Sequence, residues 1–424
     1  MSPSTEAVTA PPARPPAKPR AARRAHHIPE LLVIHADELA YLWGQRRAGM
    51  FDARYTLKSF LGLMERIEAH LKGLLTVPSA LPRLLGPRLA EAADRDDAFA
   101  AACPLLKLEN PALTAPIVEA FAMSDGERLL GLRDALGASL LVGCAPALQA
   151  MAMQGDPAHA VAAASVLAGR EMLPAQHPRL DALLQDDDPA IAAQAWRTLA
   201  TVDSRLVTLP EGVPPRPYKA ALLRDDPALR HAVLACAAWS AQPWAVQAAR
   251  RLAERGCPVA LGWWAALAPP ADGAASFAAA QALPPLQRAE LFARWGDPRV
   301  LPWLVQAMQG DDIALAAAAL QAYERITAAD IRGGRATAPL PEGASDFDRD
   351  MAPSVWLPDR VALDAHHARH AAQWAQAERW NRGLPLGAAP TDDVLRRVDL
   401  PARWDALARA ALARRPLGAA PPPV

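Results

Sequence analysis

From Ile28 onward the apolar residues of the chain recur with the period of a helix. Leu32, His35, Leu39 and Leu42 follow one another at steps of three and four, which places them on one helical face. Residues 44–54 interrupt the pattern. A second stripe, Leu57, Phe60, Met64, Ile67, Leu71 and Leu74, then resumes the same steps. Two such stripes bury each other as an antiparallel hairpin. Beyond a Pro-rich link over residues 78–87, Pro111 opens a further helix with Leu113, Ile117 and Phe121 on its face, and Asp125-Gly126 ends it.

After residue 150 the pattern becomes repetitive. Gly155-Asp156-Pro157, Asp187-Asp188-Pro189, Asp225-Asp226-Pro227 and Gly296-Asp297-Pro298 each precede an Ala- and Leu-rich helical stretch. Asp as N-cap accepts from the free amides of the first turn, and Pro at the first helical position forfeits no hydrogen bond. The four capping aspartates are 32, 38 and 71 residues apart. The last interval is close to two units, with Gly256-Cys257-Pro258 as a degenerate opener inside it. Paired short helices at roughly 30–40 residues per unit are the mark of an α-solenoid. Pro189, Ile191, Ala195, Leu199 and Val202 trace the core stripe of one unit.

The expected fold is therefore all-α: a HEAT-like α-solenoid over residues 151–330, preceded by a helical region at 28–150. A loop at 331–355, rich in Gly, Pro and Asp, leads to a C-terminal helical segment at 356–415 and a loose tail at 416–424. No segment alternates with period two, so no strand is expected. Residues 1–27, with six prolines among five Lys and Arg residues, read as a disordered tail. They hold no apolar signal-peptide core.

Two sets of residues carry a resemblance. Residues 183–195, Leu-Leu-Gln-Asp-Asp-Asp-Pro-Ala-Ile-Ala-Ala-Gln-Ala, and the similar stretch 221–232 resemble the second half of a HEAT repeat. At the ends, His35-Ala36-Asp37-Glu38-Leu39-Ala40-Tyr41-Leu42-Trp43, Tyr55-Thr56-Leu57 and residues 65–74 resemble the N-terminal signature of an uncharacterised bacterial family. Trp356-Leu357-Pro358-Asp359, Trp374 and Arg382-Gly383-Leu384-Pro385-Leu386-Gly387 are similar to the same family's end. Its members join such a hairpin to HEAT-like repeats, and some lie in type VI secretion gene neighbourhoods. The resemblance implies a cytoplasmic adaptor or chaperone for a secreted cargo, and it transfers no catalytic residue.

Composition narrows the function further. Lys+Arg and Asp+Glu both number 45 among 424 residues, so the chain lacks the net positive charge with which nucleic-acid binders neutralise phosphates. No run of about 18 apolar residues is free of charge and Pro, which argues against a membrane span. Cys103, Cys144, Cys236 and Cys257 form no Cys-x-x-Cys pair and read as small core residues.

The candidate chemistry is sparse. His366 and His370 lie four apart, beside Asp364 and His367, and would share a helix face able to grip a metal. No His-Glu-x-x-His motif accompanies them, and the cluster reads as a His-rich polar helix. His35 reads as a buried histidine bonded to the neighbouring helix. Six tryptophans, Trp239, Trp244, Trp263, Trp264, Trp295 and Trp303, concentrate in the later units and read as packing, with one or two exposed. We therefore assign no catalytic, cofactor-binding or metal-ligating residue and no cofactor. The expectation is a non-enzymatic protein-binding scaffold, with a protein partner and neither nucleic acid nor membrane. The alternative is an enzyme on the same scaffold, of the DNA-repair glycosylase or bilin lyase type.

Overall fold

In the computed structural model, which describes residues 29–206, 215–338, 340, 343–375, 379–415, 417–418 and 420–421, the two opening stripes become α1 (Pro29–Gly49) and α2 (Leu57–Leu75). Leu32, Leu39 and Leu42 are buried with Leu63, Ile67, Leu71 and Leu74, and the two helices pack as a hairpin. Thr56 and Ser59 close the start of α2 with a reciprocal capping box. The tail expected over 1–27 lies outside the described residues.

Helices then follow in pairs: α3 (Leu81–Glu91) and α4 (Arg95–Leu106), α5 (Pro111–Ala122) and α6 (Gly126–Gly137), α7 (Ala145–Gln154) and α8 (Pro157–Gly169). Next come α9 (Pro178–Leu183) and α10 (Pro189–Asp203), α11 (Tyr218–Leu223) and α12 (Pro227–Trp239), α13 (Ala245–Ala253) and α14 (Pro258–Leu267). The series ends with α15 (Gly273–Ala280) and α16 (Pro285–Trp295), then α17 (Leu301–Gln309) and α18 (Ile313–Thr327). Each even-numbered helix from α4 to α18 packs on the next even-numbered one, so they form one continuous row that crosses residue 150 without a break.

The sequence of each helix explains its layer. Two row helices are apolar nearly all round: α8 buries every residue from Ala160 to Ala168, and α14 every residue from Ala260 to Leu267. The odd-numbered α13 buries only Ala245, Ala249 and Ala253. A helix apolar all round belongs between layers, and an amphipathic one outside them. Small residues set the spacing. At Gly131, where α6 crosses α4, an added Cβ would lie 2.2 Å from the Arg95 carbonyl oxygen.

The Asp-Pro openers behave as capping chemistry demands. Asp156 accepts from the amides of Ala158 and His159, Asp188 from Ala190 and Asp226 from Leu229, opening α8, α10 and α12. Each such cap stabilises its helix by about 1 kcal/mol. Asp297 also caps, accepting from Arg299, but the turn it starts leads into α17 rather than a row helix. The row helices after α12 begin at Pro258, Pro285 and Ile313, so the 71-residue interval does not hold two units in register.

The expectation of a strandless chain is corrected at residues 332–358, where a loop was expected. β1 (Arg332–Thr337) pairs antiparallel with β2 (Ser354–Pro358), enclosing the short α19 (Asp346–Asp350). The register slips between Arg332 and Arg335, at Gly333 and Gly334, where a bulge needs no side chain. An isolated two-stranded hairpin is marginal; this one leans on α18, and Arg335 covers the Trp356 ring at 4.5 Å.

The C-terminal segment crosses the ends of the row. It comprises α20 (Arg360–Trp374), a second small hairpin of β3 (Trp380–Asn381) and β4 (Leu384–Pro385), then α21 (Asp392–Arg397) and α22 (Leu400–Leu412). The β3 strand passes so close to the α16–α17 turn that a Cβ on Gly296, which holds a φ of +68°, would lie 2.3 Å from the Trp380 carbonyl oxygen. The tail expected to be loose is held at Ala420, which is buried and donates its amide to Ser204 Oγ at 3.3 Å.

Candidate functional site

The helix α22 lies against α12 and α14 of the row. Its position rests on two buried carboxylates. Asp405 accepts from Arg294 Nε at 2.8 Å and Nη2 at 2.7 Å. Asp399, fully buried, accepts from Arg325 Nε and Nη2 and from Asn381, and caps α22 by accepting from the Ala402 amide. The turn between α1 and α2 meets the same segment from the other side. Trp404 Nε1 donates to the Met50 carbonyl at 2.9 Å, the Leu400 amide donates to the Tyr55 carbonyl, and Arg382 donates to the Ala53 carbonyl.

Between these parts lies a cavity of about 620 Å³. The α10, α12, α14, α16 and α18 helices form its floor, and Phe51, Trp404 and Pro421 stand at its edge. Trp239 and Trp263 supply aromatic walls. Arg197 projects into it with no hydrogen-bond or ion partner for its side chain among the described residues, and burial, then the nearby Arg133, holds its guanidinium below the ordinary arginine range. The exposed Glu290 also lines the space.

His231 is the titratable group of the floor. Trp263 Nε1 donates to its Nδ1 at 3.2 Å, so the proton of the neutral ring sits on Nε2. The ring has solvent access yet is walled in by protein, and desolvation, then Arg294 and Arg197, lowers its pKa to about 4. The unfolded chain, with a histidine pKa near 6.5, takes up this proton first as pH falls. The contribution of His231 to stability is present above pH 6.5 and is lost between there and pH 4. Asp203, raised to about 6 chiefly by its burial, works in the opposite sense. A histidine-resolved NMR titration therefore isolates the effect: one ring resonance, absent in His231→Gln, is expected to stay in its neutral position at pH 5.

Apart from Trp239 and Trp263, which line the cavity, the residues singled out from the sequence fall elsewhere. His35 is half-buried, with Nδ1 3.1 Å from His70 Nδ1 on α2. His366 and His367 are not a simple solvated face: both are half-buried, and their Nδ1 atoms lie 3.2 and 3.4 Å from Tyr323 Oη. With His370 they pack around Trp374, and Asp364 turns instead to Gln309. No three His, Cys, Asp or Glu side chains converge on a possible metal position among the described residues. Cys103, Cys144 and Cys236 are buried, and burial pushes the Cys103 and Cys236 thiols up to about 12. Trp239, Trp263, Trp264 and Trp295 are core residues, while Trp244 and Trp303 are half-buried rather than exposed.

Sequence reasoning missed the polar residues of the cavity, Arg197, His231, Arg294 and Asp405, though one signal was present. Ala402, Asp405, Ala406 and Arg409 share one helical face by spacing, and a carboxylate on an apolar stripe asks for a buried cation. Comparison with protein-family models, curated proteins and solved structures finds no match to this chain. Among the described residues no helix is long and apolar enough to cross a membrane.

Proposed function

We propose that the chain is a non-enzymatic protein-binding scaffold of the HEAT-like α-solenoid type, an adaptor or chaperone of a bacterial type VI secretion system. It binds protein, neither nucleic acid nor membrane, and works in the cytoplasm. The repeated helix pairs and the Asp-Pro openers support the solenoid reading, since stacked units gain from their neighbours the core that none has alone. Arg382, in the C-terminal segment that carries the resemblance, donates to the Ala53 carbonyl beside the N-terminal one, which supports treating the two ends as one unit.

The observation that carries the reading is α22 itself. It is a short amphipathic helix seated on α12 and α14 of the row through its apolar face and the Arg294–Asp405 pair, the way a helix from a partner is held in a groove. Beside it the cavity keeps Arg197 without a side-chain partner among the described residues, and Trp239 and Trp263 as walls, the residue types that anchor interfaces. A photo-crosslinking amino acid in place of Phe51, 53% exposed at the edge, tests this in the native host. The expected result is one stoichiometric protein adduct that disappears with Arg197→Glu. Adducts confined to the chain itself would overturn the reading.

A further inference from the structure

A second, smaller cavity of about 190 Å³ lies where α1, α4, α6 and α8 meet. Three guanidiniums reach it, from Arg46, Arg95 and Arg133, against the single carboxylate of Asp134. The side chains of Arg95 and Arg133 are only 8% and 5% exposed. Asp134 is already saturated. Its Oδ1 accepts from Arg133 Nε and Nη2, and its Oδ2 from Arg95 Nε at 2.8 Å and Trp43 Nε1 at 3.3 Å. Asp96, the acid next along, is engaged by Arg47. Two donors are left buried with no hydrogen-bond partner among the described residues, Arg46 Nε and Arg95 Nη2, and the Arg46 guanidinium lies 4.4 Å over the Trp43 ring, which offers no countercharge. The Ser165 hydroxyl on the far wall is shared between the Val161 carbonyl and Thr198.

Buried charges are matched by opposite ones, because an unmatched charge taken out of water is among the costliest things a fold can contain. Here three positive charges face one negative charge in a space that holds a few waters. Water satisfies donors but does not cancel charge. A compact anion of charge two does both, and a guanidinium fork fits two oxygens of a tetrahedral oxyanion. Burial, against the pull of Asp134, holds the Arg46 and Arg133 guanidiniums below the ordinary arginine range.

We infer that this cavity is a binding site for a phosphate dianion, free or on a small monoester, gripped by Arg46, Arg95 and Arg133. The cavity is too small for a run of nucleotides, which separates the site from a nucleic-acid groove. The inference does not rest on the protein-binding reading; either can fail alone.

The test uses the full chain, calorimetric titration and thermal melting, with inorganic phosphate and free O-phosphoserine as probes against sodium chloride of equal ionic strength. Phosphate is expected to bind and to raise Tm by about 3–5 °C at a hundredfold excess over Kd. Tighter binding of phosphoserine assigns the site to an ester-borne phosphate, and weaker binding to the free ion. Arg46→Gln is expected to weaken either ligand by about tenfold or more while melting no lower than the wild type in phosphate-free buffer, because it removes an unmatched charge. Ala138→Asp, on the cavity wall, supplies the missing carboxylate and is expected to abolish the response. No heat and no Tm rise with either probe would overturn the site, as would an unchanged response in both variants.

Discussion

Asp399→Ala is expected to lower the stability of the protein by about 3–5 kcal/mol, measured by chemical denaturation followed by circular dichroism. The carboxylate is fully buried and ties together three elements, one of them 74 residues away in sequence. It neutralises Arg325 at the end of α18, accepts from Asn381 in β3, and caps α22 through the Ala402 amide. Its own amide donates to Asn381 Oδ1. Truncation leaves Arg325 without its counter-charge and Asn381 without an acceptor, and it is this stranding of groups that makes loss of one partner so costly. Asp399→Asn keeps the volume and part of the cap but not the charge, so it is expected to fall between the wild type and Ala. A loss below about 1 kcal/mol for Asp399→Ala would show that water replaces the carboxylate, contrary to its complete burial.

Asp405→Ala is the second large effect, at about 2–4 kcal/mol, reduced from the range for fully buried pairs because the Arg294 side chain is 29% exposed. Burial alone would raise the Asp405 carboxyl, but the Arg294 charge and hydrogen bonds outweigh it and hold the group below the usual carboxylate range. The effect is local as well as global: amides of residues 400–412 are expected to lose hydrogen-exchange protection before those of α12 and α14. The double variant Arg294→Met/Asp405→Leu separates pairing from packing. Replacing a buried pair by apolar groups of similar volume is often neutral, so the double variant is expected to recover most of the loss. If it is as unstable as Asp405→Ala, the pair contributes through its charge and hydrogen bonds rather than by filling space.

Much of the helical architecture was legible because its signals are local. Asp188-Pro189 marks a helix start through the cap and the missing amide of Pro, and both act within four residues. Which layer that helix joins depends on its neighbours, so Asp297-Pro298 announced a start and misled about the register. β1 was illegible for a related reason: Arg332-Gly333-Gly334-Arg335 has no period of two, and its pairing with Pro358 and Trp356 is made by the fold around it. The site was least legible. Arg294 and Asp405 are 111 residues apart, and Arg133 looked like any charged residue until α1 and α4 brought Arg46 and Arg95 against it. His366 and His367, conspicuous in sequence, turned out to surround Tyr323 and Trp374 instead.

The contact between the α1–α2 turn and α22 also dictates an order of assembly. Trp404 and the Met50 carbonyl are 354 residues apart, whereas neighbouring row helices are separated by about one unit. Each doubling of a closed loop costs only about 0.6 kcal/mol, so the long closure is cheap at equilibrium, but it cannot begin until α22 exists. At about 5–20 residues per second of synthesis, the α1–α2 turn waits roughly 20–70 s for its counterpart to leave the ribosome. The row can be complete through α18 during that interval. The nascent chain then spends its last stage as a finished stack on which the wall tryptophans Trp239 and Trp263 lack the cover of α22 until that helix arrives.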